Sequence, residues 1–169
     1  MSFVRSFLRV TALPLASALL CALAVTPFSQ PWACLLALVL VAYGLFREVP
    51  RASEPRRAIR RGFGVGVVFG LFINMCVLRF VPDVIVRFTP LPWAAGLLAL
   101  VLLSGAQGLV FGVLGGAYAG LVRLGSPRPV AFALAAFLST FTPAVFPWTF
   151  VAGLTPWPIL VQTADIWGE

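Results

Sequence analysis

Apolar residues run in long unbroken stretches along this chain, and the charged residues fall in the gaps between them. No charge interrupts residues 10–46, a stretch too long for a single crossing of a hydrocarbon core that about 20 residues span. Pro27-Phe28-Ser29-Gln30-Pro31 lies near its middle and predicts a turn, so the stretch reads as a helical hairpin with spans at about 10–26 and 32–46. A third span is expected at about 62–81. A fourth follows at about 96–122, after an interfacial entry at Pro90-Leu91-Pro92-Trp93, and a fifth at about 130–146. Pro147, Pro156 and Pro158 then predict a short irregular extracytoplasmic segment, interfacial or re-entrant, over 147–169. The pattern is that of an all-α integral membrane protein, one transmembrane domain over 1–169 with about five transmembrane helices.

Composition removes the soluble alternative. Apolar residues make up 61% of the chain and charged residues 10%, with a mean hydropathy of +1.04. Soluble domains carry roughly 45–50% apolar and about 25% charged residues, so too little polar surface is left to coat a water-soluble particle.

The net charge of +7 would suit a nucleic-acid binder, but its placement argues otherwise. All twelve basic residues are arginines, and they stand between the apolar runs rather than along one face. With a cytoplasmic N-terminus, the inside segments hold ten of them: Arg5, Arg9, Arg47, Arg51, Arg56, Arg57, Arg60, Arg61, Arg123 and Arg128. The outside holds two, Arg79 and Arg87, and the positive-inside rule therefore selects this orientation. The 47–61 run, with six arginines, reads as a solvated loop, with anionic-lipid binding as its functional alternative. Arg5 and Arg9 ahead of an apolar stretch and Ala22-Leu23-Ala24 also resemble a signal peptide, read here as a retained first helix. Lysine and histidine are absent, and Cys21, Cys34 and Cys76 lie inside apolar runs without paired spacing, so neither a metal centre, a disulfide framework nor a cofactor site is expected.

Gly62, Gly66 and Gly70 recur every fourth residue, as do Gly108, Gly112, Gly116 and Gly120, which puts each set on one helix face where another backbone can approach. Arg79, Asp83 and Arg87 share the same spacing at the outer interface, where an ion pair with snorkelling arginines or a phospholipid headgroup contact is expected. Asn74, deeper in the third span, is expected to hydrogen-bond between helices. Trp93, Trp148, Trp157 and Trp167 fall in segments assigned to the outside, as belt residues do, and Phe146-Pro147-Trp148 reads either as a re-entrant platform or as an interfacial helix end.

These features, in this order, resemble the apolipoprotein N-acyltransferases of the bacterial cytoplasmic membrane. The resemblance runs through the hairpin turn Ala24-Val25-Thr26-Pro27-Phe28-Ser29 and the glycine-rich Gly62-Phe63-Gly64-Val65-Gly66-Val67-Val68-Phe69-Gly70-Leu71-Phe72. It continues through the small-residue fourth span and Phe146-Pro147-Trp148 to Gln162-Thr163-Ala164-Asp165-Ile166-Trp167-Gly168. It departs where members often carry an acidic and a basic residue before Phe-Pro-Trp, here Ala136 and Ser139, and at Leu78 or Arg79, where a tryptophan is common.

The resemblance implies a multi-pass inner-membrane protein in lipoprotein biosynthesis, whose partners are phospholipid, a lipoprotein substrate and a carbon–nitrogen hydrolase domain. In the family that domain's Glu-Lys-Cys set carries an acyl thioester from phospholipid to the α-amino group of a diacylglyceryl-cysteine. Without a lysine, these residues do not contain that set, and no catalytic residue is expected among them. They read as the N-terminal membrane part, a fragment or one piece of a split enzyme, with Arg79, Arg87, Phe146, Pro147 and Trp148 as lipid-side contacts. The rival reading is a complete small multispanning protein, a transporter subunit or assembly factor whose glycine faces bind a partner helix. A transporter should carry ionisable groups or broken helices at mid-membrane, where only Asn74 offers anything comparable.

Overall fold

The computed structural model describes residues 2–25, 28–49, 54–145, 154, 156 and 157, with side chains from residue 12 onward. Among these residues six helices follow one another: α1 (Ser2–Ala24), α2 (Pro31–Glu48), α3 (Pro55–Val77), α4 (Val81–Phe88), α5 (Trp93–Arg123) and α6 (Arg128–Ser139). Proline sets most of the starts. α2, α3, α4 and α6 each carry one at the first or second position, and Pro92 caps α5. A fixed φ suits the first turn, and the missing N–H is one that no helical acceptor would have met.

Among the described residues, three helices, α2, α3 and α5, are long and apolar enough to cross a membrane. The 31 residues of α5 extend about 46 Å at ~1.5 Å per residue, more than the roughly 30 Å of a hydrocarbon core. α6 differs from expectation. It has 12 residues, about 18 Å, and stops at Ser139 instead of continuing to residue 146. Ser139 Oγ and Thr140 Oγ1 donate to the carbonyls of Ala136 and Phe137, and Pro143 bars further helical turns.

Two further boundaries differ from expectation. The 47–61 run is largely helical rather than a solvated loop: Arg47 and Glu48 close α2, while Arg56, Arg57, Arg60 and Arg61 stand on the first two turns of α3. Pro55 opens that helix early and arginine is a good helix former, so charge density there marks the polar end of a long helix. At its other end α3 stops at Val77 instead of reaching residue 81, because Pro82 cannot donate to the Leu78 carbonyl; a turn over 78–80 leads into α4.

α3 and α5 form the central antiparallel pair. A Cβ on Gly62 would strike the Gly115 carbonyl, one on Gly66 the Phe111 carbonyl, and one on Gly70 the Gly108 Cα at 2.7 Å. Backbone meets backbone over this seam, so lost side chains are exchanged for close van der Waals contact. α1 and α2 pair through Ser17 Oγ, which donates to the Ala37 carbonyl at 3.0 Å, and α1 also packs on α3. α6 lies on α5 through Ala131 and Ala135, and Phe46 joins the groups by stacking on Tyr118 at 5.5 Å and meeting Phe132 edge-on at 6.2 Å. The outer faces are apolar: Leu102 is 65% exposed, and Val39, Leu98 and Phe137 are similarly bare. Such a surface is a liability in water and carries no cost against lipid tails.

Candidate lipid-contacting site

The α1–α2 turn, the α3–α4 turn and the start of α5 lie at one end of the bundle. There Arg79, exposed in the 78–80 turn, holds its guanidinium 5.9 Å from the centre of the Phe28 ring. This cation–π contact ties the two turns together while leaving the arginine accessible. α4 then lies against α5, with Pro82 beneath Gly96, where a Cβ would come 2.7 Å from the Pro82 Cα. Val84, Val86, Arg87 and Phe88 are exposed, and Leu91 and Trp93 extend the same surface. An exposed band of aromatic and aliphatic side chains with interspersed guanidinium groups matches the chemistry of a bilayer interface, where rings sit at headgroup level and arginine meets phosphate.

The evenly spaced Arg79, Asp83 and Arg87 are not one helical row, because the break at 78–80 puts Arg79 outside α4. Asp83 and Arg87 are both exposed on α4 with no ion pair between them among the described residues. Phe146, Pro147 and Trp148 lie outside the described residues, as does Trp167; Trp157 is exposed, and nearby Leu154 packs against Ala24, Ala33 and Cys34 of the α1–α2 hairpin.

Of the glycines, Gly62, Gly66, Gly70 and Gly108 lie in the α3–α5 seam, and Gly112 faces the side chains of Val67 and Phe63. A Cβ on Gly116 would find ordinary contacts at 3.8 Å, and on Gly120 nothing within 4 Å; Gly115, three residues after Gly112, meets the Gly62 carbonyl in their place. A step of four residues turns an α-helix by about 400°, so a strict every-fourth series drifts off a straight contact line, and a step of three restores it.

Sequence reasoning missed Gln107, near the middle of α5 and 4% exposed, whose Oε1 accepts the Val145 N–H at 2.7 Å. The bond fixes the irregular backbone that leads into residues 146–148 against the long helix, as non-helical backbone requires when it lies within a membrane. A lone amide inside the uncharged stretch of α5 was the available signal. Asn74 donates to Gly70 O at 2.8 Å along its own helix, rather than across to another.

The family model of the apolipoprotein N-acyltransferase N-terminal domain matches residues 17–169. The chain belongs to that family. The match takes in all of α2 to α6 and most of α1's apolar half, so the glycine seam and the Arg79–Trp93 surface are features of the family domain as it occurs in this chain. No curated protein and no solved structure matches the chain.

Proposed function

We propose that these residues form the membrane-embedded N-terminal part of an enzyme that transfers an acyl group from phospholipid to the N-terminus of a lipoprotein in the bacterial cytoplasmic membrane. The family match over 17–169 carries this reading. The N-terminus is cytoplasmic, by the arginine asymmetry, and the first three of about five crossings bring the Arg79–Trp93 surface to the extracytoplasmic interface. There Arg79 and Arg87 meet phosphate groups and the exposed rings of Phe88 and Trp93 seat among the acyl chains, with Phe146, Pro147 and Trp148, outside the described residues, as further lipid-side contacts.

The acyl-carrying nucleophile belongs to a water-accessible domain. Cys21 and Cys34 are buried between helices, Cys76 is half-buried in α3, and no lysine exists to assist a thiolate. The membrane part therefore presents lipid and lipoprotein chains to a catalytic domain and performs no acyl transfer of its own.

A phospholipid carrying a photoreactive group near its headgroup tests the reading in membranes. Crosslinks should concentrate in 79–93 and fall several-fold in Arg79→Gln/Arg87→Gln. Labelling spread evenly over the chain, or unchanged in the double variant, would oppose it.

A further inference from the structure

At the end of the bundle away from Arg79, a cavity of about 380 Å³ opens between α1, α2 and α3. Its volume falls within the ~300–1,000 Å³ of ordinary ligand sites. Leu13, Gly44, Gly64 and Val68 contribute to an apolar wall, and Glu48 and Arg61 stand at its polar rim. Gly64 is the informative residue. A Cβ there would meet nothing within 4 Å, so neither close packing nor a left-handed backbone calls for glycine in mid-helix, where it weakens the helix. The effect of its missing side chain is to keep the cavity open.

The rim is cationic. Arg61 Nη2 donates to Glu48 Oε2 at 2.6 Å and Arg47 Nε lies 3.6 Å from Glu48 Oε1, so one carboxylate stands between two guanidinium groups. Residues 57, 61, 64, 65 and 68 follow helical spacing along one face of α3, which sets Arg57, whose Nε lies 3.2 Å from Glu54 Oε2 in an exposed pair, and Arg61 in line above the cavity wall, with exposed Arg60 alongside. Six arginines against two glutamates between 47 and 61 leave this end strongly positive.

An apolar slot beneath an arginine rim is complementary to an amphiphile with an anionic head. We propose that this cavity binds one anionic phospholipid, with an acyl chain beside Gly64 and Val68 and its phosphate on Arg57, Arg60 and Arg61. Guanidinium groups hold phosphate bidentately, and the juxtamembrane cluster selects anionic over zwitterionic lipid. The site lies at the opposite end of α3 from the acyl-donor surface, so it binds a structural lipid of the other leaflet and does not depend on the proposed acyl transfer.

The test is native mass spectrometry of the purified chain after exchange from vesicles of phosphatidylglycerol or of phosphatidylcholine. The wild-type chain should retain one phosphatidylglycerol and little phosphatidylcholine. Gly64→Leu should retain about tenfold less, the effect of displacing roughly two buried methylenes, with unchanged helical content because its side chain enters open space. Arg57→Gln/Arg60→Gln should abolish the preference for the anionic lipid, and Arg79→Gln/Arg87→Gln should leave it intact. Equal retention of the two lipids by the wild type, undiminished phosphatidylglycerol in Gly64→Leu, or loss only in the Arg79/Arg87 variant would overturn the proposal.

Discussion

The Val145 amide and the Gln107 side chain are joined by a 2.7 Å hydrogen bond that ties the segment after α6 to the middle of α5. Because Gln107 is almost fully enclosed, replacing it with leucine removes the partner of a backbone N–H in surroundings where water does not readily substitute. Gln107→Leu should lower stability by about 1 kcal/mol and release the chain around 141–148. Thermal unfolding in mild detergent, with limited proteolysis of that segment, measures both; an unchanged cleavage pattern would mean that the bond does not hold the segment.

The glycine seam should discriminate sharply between positions. Gly66→Leu and Gly115→Leu drive side chains into backbone carbonyls that cannot move aside, at a cost of about 3 kcal/mol or more, and little folded protein should be recovered. Gly120→Leu meets open space and should be tolerated, and Gly116→Ala should cost well under ~1 kcal/mol. Yield and thermal midpoint in detergent rank the four. Equal damage at Gly120 and Gly66 would contradict the packing described.

Where the physics is local, the sequence was readable. Uninterrupted apolar runs located α2, α3 and α5, and proline marked the helix starts. The errors arose where hydrophobicity or charge was read without the prolines beside it, or where a partner distant in sequence decided. The arginines at 56–61 read as a loop by charge, yet they ride on a helix that Pro55 initiates and that Glu48, on another helix, helps to hold through Arg61. Pro82 and Pro143 ended helices that hydrophobicity alone would have prolonged. At the candidate site, Arg79 and Arg87 were visible as the two outer arginines, with Asp83 between them, but the Phe28 partner of Arg79 depends on two turns meeting in space. Gly115 was overlooked because a strict period of four excluded it, and Gln107 because its partner is a backbone group 38 residues away.

Orientation is open to direct labelling. In a background lacking the native cysteines, single cysteines at Ser53 and Ser126 should be shielded from a membrane-impermeant thiol reagent in intact cells, and one at Thr89 should react. Labelling of Ser53 and Ser126 positions before lysis, with Thr89 protected, would invert the topology.

The central claim is that this chain supplies the membrane environment, and not the chemistry, of lipoprotein N-acylation. Its most direct measurement follows a labelled acyl group from phospholipid to a diacylglyceryl peptide in vesicles containing the chain alone, a carbon–nitrogen hydrolase domain alone, or the two joined in one polypeptide. The expected result is transfer by the joined protein only, with no hydroxylamine-sensitive label on Cys21, Cys34 or Cys76 of the chain alone. A stoichiometric acyl label on any of those cysteines, or equal transfer by the hydrolase domain without the chain, would contradict it.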